Sequence, residues 1–295
     1  MQTCIIFNPS ARGQRAQALC SRLQELHPYF AVRLTAAAGD ARRLAAQAVL
    51  EGFTTVVAAG GDGTANEVVN GIADVPHGLQ NVRLGILPLG TVNVFARELG
   101  LPWRLDAAIK TLATGRETTI DLGRADFDAN GQAQTRHFLQ LAGAGIDSRA
   151  IELVTWEMKK KLGKLAYVVA ALRAAKEKQP VISVQCGHDL SGELVLLGNG
   201  RFYGGSIPVF PAADLRDGLL DVCIVPKLNW PSTAQIMGGL LTGKVHRWSS
   251  ATCLQVRQIR LSSSSRVILQ LDGENTLELP ATLTVRPKAL RVVTP

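Results

Sequence analysis

The stretch Thr55-Val56-Val57-Ala58-Ala59-Gly60-Gly61-Asp62-Gly63-Thr64-Ala65-Asn66-Glu67 constrains this chain more than any other. An apolar run gives way to glycines and then to Val68-Val69-Asn70-Gly71-Ile72. That order reads as a buried strand, a tight turn and a helix. Three glycines among four residues permit positive φ and let a backbone approach a ligand closely. The helix start offers free N–H groups and the positive end of a dipole, so phosphate is its natural guest. Asp62 sits inside the turn, where a carboxylate repels phosphate unless a cation intervenes. Mg²⁺, which bridges carboxylate and phosphate oxygens, is the simplest reconciliation. The stretch therefore reads as a nucleotide-phosphate site, with a glycine turn that binds nothing as its plain alternative. It is neither a Walker loop nor a GxGxxG fingerprint. The near match Gly238–Lys244 ends in Val245 rather than Ser or Thr and follows a helical stretch, so it is accidental.

Two more turns repeat the arrangement. Cys4–Phe7 is a short buried strand followed by Asn8-Pro9-Ser10-Ala11-Arg12-Gly13 and a helix from about Gln14. Arg12 and Arg15 are within reach of a phosphate, or are solvated arginines at a helix start. Val82–Leu87 runs into Pro88–Arg97, with Gly90-Thr91 again between strand and helix. Between them come a strand, Ala31–Thr35, and a helix, Ala41–Glu51, with Asp40 as N-cap. Strands alternating with helices predict an α/β parallel sheet with right-handed crossovers. Ligands in such sheets bind beyond the carboxyl ends of the strands, where the Asn8, Gly60 and Gly90 turns all lie.

After a helix at Ala107–Thr114, capped by Asp106 and ended by Gly115, the pattern changes. Thr118–Gly123 and His137–Ala142 read as strands around a polar hairpin, and a long helical stretch covers about Ser148–Lys178. Short strands follow at Val181–Cys186, Glu193–Leu197, Leu219–Val225, Cys253–Leu261, Val267–Leu271 and Leu283–Val293, interrupted by a helical segment near Ser232–Leu241. This predicts a β-rich, sandwich- or barrel-like second domain. The boundary falls near residue 122, giving domains at 1–122 and 123–287.

The 295 residues, 46% hydrophobic, suffice for one large domain or two modest ones. No apolar run reaches transmembrane length; the longest, Leu165–Leu172, stops at Arg173. Met1–Phe7 lacks a basic start and does not read as a signal peptide. Cys4, Cys20, Cys186, Cys223 and Cys253 show no CxxC spacing and read as reduced, mostly buried thiols of a cytoplasmic protein. The net charge of +8 favours anionic partners. With aromatics at 5%, no stacking platform for nucleic acid is apparent, so nucleotides and an acidic membrane face are the better partners. Lys159-Lys160-Lys161 with Lys164 is either a solvated helix face or a patch for anionic headgroups.

Two acidic segments lie in the second domain. Gln270-Leu271-Asp272-Gly273-Glu274 sets two acids around a glycine, and Asp-Gly is also a common hairpin turn. His27, His77, His137, His188 and His246 all fall in polar or loop contexts and read as surface residues, so an acid is the expected base for a hydroxyl acceptor. In Asp214-Leu215-Arg216-Asp217-Gly218-Leu219-Leu220-Asp221, Asp214 and Asp217 could hold a hard cation with backbone help, or simply form a turn.

Taken in order, Gly60–Thr64 with Asn66-Glu67, Gly90–Arg97, Asp217–Asp221 and Asp272-Gly273-Glu274 resemble the diacylglycerol kinase catalytic-domain family, which includes bacterial lipid kinases and the sphingosine and ceramide kinases. The first motif alone is shared with NAD kinases; the ordered set of four is far more specific. The resemblance spans nearly the whole chain. It implies an α/β nucleotide-binding domain, a β-rich second domain, an active site in the cleft between them, and a final strand, about 288–295, that returns to the first domain. It implies ATP held by Asn8, Pro9, Ser10, Arg12, Gly13, Thr35, Gly60, Gly61, Asp62, Gly63, Thr64, Asn66, Glu67, Thr91, Asn93 and Arg97. It also implies Glu274 as proton acceptor with Asp272 beside it, a structural Mg²⁺ near Asp214, Asp217 and Leu219, and Asp121 with Arg97 in a supporting network. One position departs from the family: bacterial members commonly carry Asp where this chain has Val94, which removes one carboxylate from that network. The expected activity is ATP-dependent phosphorylation of a lipid hydroxyl, diacylglycerol first, at the cytoplasmic face of a membrane. A soluble-metabolite kinase of the NAD kinase type and a non-catalytic nucleotide or lipid sensor are the alternatives. A homodimer through an exposed strand edge is open.

Overall fold

A computed structural model describes residues 2–10, 19, 30–155, 157–158, 169–170, 173–174, 176–228, 232–233, 236, 238–239 and 251–295. Two compact units are present, Met1–Leu122 with Pro287–Pro295, and Gly123–Arg286.

Unit 1 is built on the parallel strands β1 (Thr3–Phe7), β2 (Ala31–Leu34), β3 (Thr55–Gly60) and β4 (Arg83–Pro88), in the order β2-β1-β3-β4. The end of the last strand, at Arg291 and Val292, adds to β4 in parallel. In register, Cys4 lies beside Ala31 and Val56, and Phe7 beside Leu34 and Ala59. β3 is buried throughout, as expected of a parallel strand covered on both faces. The helices are α1 (Asp40–Leu50), α2 (Asp62–Ala73), α3 (Gly78–Asn81), α4 (Val94–Glu98) and α5 (Leu105–Thr114). Ala108 and Leu112 of α5 pack on Ile5, Phe7, Val57, Ala59 and Leu87. Fully burying side chains of that size stabilises by about 1.5–3 kcal/mol each. Two helix starts differ from the sequence reading. Gly39, not Asp40, is the cap of α1, because the Asp40 carboxylate turns back to accept the amides of Ala36 and Ala37. Arg104 precedes α5, and Asp106 lies in its first turn.

Unit 2 is a sandwich of two sheets. Its strands are β5 (Arg116–Ala129, from Gly123 onward), β6 (Gln132–Phe138), β7 (Leu141–Gly145), β8 (Ile182–Gln185), β9 (Asp189–Gly192), β10 (Leu194–Gly198), β11 (Phe202–Tyr203), β12 (Ile207–Pro208), β13 (Leu220–Val225), β14 (Thr252–Val256), β15 (Gln258–Ser262), β16 (Ile268–Leu271), β17 (Glu274–Glu278) and β18 (Ala281–Thr294, to Arg286). One sheet is antiparallel in the order β14-β13-β10-β7-β16-β17; the other contains β18, β15, β8 and β9. Their inner faces meet in a core that includes Val195, Leu197, Val222, Leu269, Ile182, Val184, Ile259 and Leu283. β10 is buried throughout because its other face, Leu194 and Leu196, packs against Phe210, Val209 and Ile146, the last from α6 (Ile146–Leu153).

Three sequence readings are revised here. The run Cys253–Leu261 is two strands, since β14 pairs with β13 while β15 pairs with β18 and β8. The chain changes sheets at Arg257, as strands at sandwich corners do. The run His137–Ala142 breaks in the same way at Leu139-Gln140, between β6 and β7. His137 is buried, not a surface residue. The first helix from Gln14, most of the stretch from Trp156 to Ala175, the lysines at 159–161 and 164, and most of 229–250, including His246 and the Gly243-Lys244 pair, lie outside the described residues, as do Cys20 and His27.

Candidate active site

At the carboxyl edge of the unit 1 sheet, successive turns are tied to one another by main-chain hydrogen bonds. Leu89 and Gly90 both donate to the carbonyl of Gly60, at 2.9 and 3.1 Å. Asn8 donates its backbone amide to Ala59 (3.0 Å) and Thr35 donates its own to Phe7 (3.0 Å). The Asn8 side chain joins two turns as well: its Nδ2 donates to Thr64 Oγ1 (3.2 Å), and its Oδ1 accepts the amide of Ser10 (2.9 Å). Asn8, Pro9, Ser10, Thr35, the Gly60–Thr64 turn, Thr91 and Asn93 thus sit on one edge. Arg12 and Gly13 lie outside the described residues.

Two glycines in this edge have different reasons to be glycine. A Cβ on Gly90 would stand 2.5 Å from Gly61 Cα and 2.8 Å from Asn93 Oδ1, so the packing of the two turns excludes a side chain. A Cβ on Gly61 would meet only Gly90 Cα, at 3.5 Å, an ordinary contact. Its φ of −94° is open to any residue. Among the described residues nothing demands glycine at 61, which is what a position kept bare for an approaching ligand looks like.

The acids of this motif are engaged with backbone amides. Asp62 Oδ1 accepts the amide of Phe95 (3.2 Å), and the amides of Val94 and Asn93 also point at this carboxylate. Asp62 therefore covers the start of α4 across the gap between the two glycine turns. Burial raises its pKa above the ordinary carboxylate value, and those amides oppose the rise. Its charge is met by main-chain donors, a second answer to the repulsion between a carboxylate and a phosphate. Glu67 is placed likewise, its two carboxylate oxygens accepting the amides of Gly39 (2.9 Å) and Ala41 (3.0 Å) at the start of α1. Asn66 accepts from Asn70 Nδ2. Asn93, at φ 52°, closes its own turn through Gly90, its Nδ2 donating to the carbonyl at 2.7 Å. The Arg97 guanidinium stacks 4.9 Å from the Trp103 ring centre. Asp121 is 1% exposed and accepts the amide of Lys288 (2.7 Å), a residue at φ 50°.

In unit 2, Asp272 and Gly273 form the tip of the β16–β17 hairpin, with φ of 50° and 89°. Positive φ at both central residues marks a type I′ turn, so the hairpin reading of Asp-Gly holds. The turn also does something else. The Asp272 carboxylate accepts the amides of Leu139 (2.8 Å), Gln140 (2.8 Å) and Leu141 (3.1 Å), holding the corner where the chain passes from β6 to β7. Gln270, fully buried, accepts the Gly273 amide at 2.7 Å, and Asn199 donates to the Leu139 carbonyl at 2.9 Å. Sequence reasoning missed Gln270 and Asn199; the signal was a polar residue at the end of an otherwise apolar strand. Glu274 follows the turn and is exposed.

Asp214 and Asp217 are both exposed and lie in a turn. Asp214 accepts the amide and Nε of Arg216 (3.1 and 3.3 Å), and Asp217 accepts the amide of Leu219 (2.9 Å). Each thus has an oxygen taken by a neighbouring N–H, and Arg216 supplies a competing cation. Among the described residues no three acidic, histidine or cysteine side chains group as a metal site.

Residues 2–125 match the diacylglycerol kinase catalytic domain, and residues 140–294 match the YegS C-terminal NAD kinase beta sandwich-like domain. A Pseudomonas aeruginosa protein named "Probable lipid kinase YegS-like" is 34% identical over 300 residues, covering 99% of this chain and 93% of that protein. The diacylglycerol kinase of Bacillus subtilis is 31% identical over 305 residues, covering 99% of this chain and 95% of its own. Among solved structures, a diacylglycerol kinase from Bacillus anthracis superposes with a TM-score of 0.76 at 24% identity, covering 100% of this chain and 97% of that one. Yeast NADH kinase superposes with a TM-score of 0.57 at 12% identity, covering 100% and 84%. At those identities the two structures show a shared fold.

Proposed function

Because the chain belongs to the diacylglycerol kinase catalytic-domain family and is a lipid kinase, we propose that it transfers the γ-phosphoryl group of ATP to the primary hydroxyl of diacylglycerol, giving phosphatidic acid. The observation that carries the nucleotide half is Gly61, bare without a steric reason at an edge where three βα turns are bonded together. There the N-terminal end of α2, the positive end of its dipole, meets phosphate oxygens. Asn8 and Thr64 fix the height of the first turn against the second. Asp62 and Asn93 hold the Gly90 turn in place so that Thr91 stays on the same edge.

On the acceptor side, Glu274 takes the proton of the attacking hydroxyl. It is the exposed acid of its motif, whereas Asp272 is committed to three amides and positions the turn that presents Glu274. Mg²⁺ accompanies the nucleotide and offsets charge on its phosphates, as phosphoryl transfer by positioning and electrostatics requires. No step is assigned to an ion at Asp214, Asp217 and Leu219. The net charge of +8 supports work at an anionic membrane face, and no described helix is long and apolar enough to cross a membrane.

The test is transfer of label from γ-labelled ATP into mixed micelles that offer diacylglycerol, a sphingoid base, ceramide, phosphatidylglycerol or a polyprenol one at a time. Wild type is compared with Glu274→Gln and Gly61→Ala. Labelled phosphatidic acid, lost in both variants, is the expected result. Label in another lipid would replace the acceptor and keep the mechanism. ATP binding without labelled lipid from any acceptor would refute the lipid assignment and turn attention to soluble hydroxyls such as NAD.

A further inference from the structure

Cys223 on β13 and Cys253 on β14 stand directly opposite each other in the antiparallel register. Directly opposed residues in such a pair have Cα atoms about 4.5–5.5 Å apart, within the roughly 4.4–6.8 Å that a disulfide spans. The Cβ atoms of such a pair are about 4.5–5.5 Å apart against the roughly 3.5–4.5 Å of a disulfide, so a small approach of the edge strand with rotation of the two side chains joins them. The two thiols are close enough to interact. Their surroundings are unequal. Cys223 is 4% exposed, packed with Leu194, Leu196, Val225 and Phe210, while Cys253 is exposed on the edge strand of its sheet. The other described cysteines lack this arrangement. Cys4 is buried between Ala31 and Val56, its thiol pushed up to about 11 by burial, and Cys186 faces the carbonyl of His188.

We propose that Cys223 and Cys253 form a redox-modification site, a dithiol that a hydroperoxide converts into a cross-strand disulfide and that small thiols reduce again. The exposed Cys253 sulfur attacks the peroxide; an S–O bond forms, the O–O bond breaks, and hydroxide departs and is protonated, leaving a sulfenic acid. Cys223 sulfur then attacks Cys253 sulfur; the S–S bond forms, the S–O bond breaks, and the leaving hydroxide takes the Cys223 proton as water. Two thiols and one hydrogen peroxide give one disulfide and two waters. The first step falls to Cys253 because its sulfur is the exposed one of the pair, open to a peroxide that cannot reach the buried Cys223. The second step is favoured because the resolving sulfur is already in contact, before the sulfenic acid can oxidise further.

The full-length, reduced protein would be treated under native conditions with a small molar excess of hydrogen peroxide, quenched by alkylation, digested and mapped by tandem mass spectrometry. A linked peptide pair containing Cys223 and Cys253, with loss of two alkylatable thiols and full recovery after dithiothreitol, is expected. Cys253→Ser, a change at an exposed position, should remove the link and leave Cys223 reduced, and Cys223→Ser should drive Cys253 on to sulfinic acid. The proposal is overturned if the wild type yields sulfinate at Cys253 without a link. It is equally overturned if Cys186 oxidises first, or if Cys253 pairs with Cys186 instead.

Discussion

At the scale of single residues, the acids that motif-reading assigns to phosphate, metal or proton chemistry are mostly holding main-chain amides. Asp62 accepts from Phe95, Glu67 from Gly39 and Ala41, Asp121 from Lys288, and Asp272 from Leu139, Gln140 and Leu141. A hydrogen bond to a charged group contributes about 1.5–3 kcal/mol, and amides left without an acceptor in a buried corner are costly. Asp272→Ala should therefore lower unfolding free energy by about 2–3 kcal/mol in a denaturant titration as well as reduce phosphoryl transfer. Glu274→Gln, at an exposed position, should change stability by no more than about 0.5 kcal/mol yet lower kcat by about 100-fold or more. Equal stability losses in the two variants would contradict that division of labour. Asp62 gives a pH test. Its folded pKa lies above its unfolded value near 3.8, so the folded state binds the proton more tightly. Stability from this group is fully present below the unfolded value and falls as pH rises through the folded one. Compared with Asp62→Asn, wild type should lose relative stability as pH is raised from the ordinary carboxylate value upward; a flat difference across that range would show that burial does not govern this carboxylate. The sequence marked these positions correctly as special but could not show their partners. The Phe95 amide that Asp62 holds lies 33 residues away, and the amides that Asp272 holds lie 131–133 residues away.

At the scale of elements, the two glycine turns separate packing from function. Gly90→Ala must push against Gly61 Cα, a backbone atom that cannot swing aside, and overpacking of this kind costs about 1–3 kcal/mol. Gly61→Ala meets no such obstacle, so it should melt close to wild type while losing ATP affinity, as read by isothermal calorimetry. If Gly61→Ala binds ATP normally, the phosphates do not approach that backbone. The parallel strands and glycine turns of unit 1 were legible because covered parallel strands are continuous apolar runs and their turns carry glycine. The corners of unit 2 were not. Val256 ends β14 and Gln258 begins β15, and only the partners change at Arg257, whose carbonyl accepts from Val285 (2.9 Å) in the other sheet. The only local mark is a slip of phase, Leu254 and Val256 on one side of Arg257-Gln258 and Ile259 and Leu261 on the other, which a reading of Cys253–Leu261 as one strand passes over. At Leu139-Gln140 the corner is set by the distant Asp272, invisible locally. His137 looked like a surface residue because it lies in a polar hairpin arm, but the end of that arm enters the core beside Phe138, which is fully buried.

At the scale of the whole molecule, a charge of +8 on a lipid kinase predicts that catalysis depends on the charge of the surface on which the acceptor is presented. Attraction between exposed basic groups and anionic headgroups adds about 1 kcal/mol per Lys or Arg near the surface and fades over a Debye length. That length shrinks from about 30 Å at 0.01 M salt to about 10 Å at 0.1 M. Transfer into diacylglycerol carried in anionic micelles should therefore fall several-fold over this salt range. The same acceptor in neutral micelles should respond little, because its rate carries only the salt sensitivity of nucleotide binding. The neutral series is what makes the comparison decisive: a fall of equal size in both would place the effect on ATP, whose phosphates are also screened, and would remove the membrane-surface role from the charge. Chelation with EDTA, run in the same two micelle series, should abolish transfer in both, since the proposed mechanism brings the ion in with the nucleotide and not with the headgroups. Loss of transfer in the anionic series alone would instead mean that the divalent ion bridges protein to lipid, and the basic surface would not be the docking element.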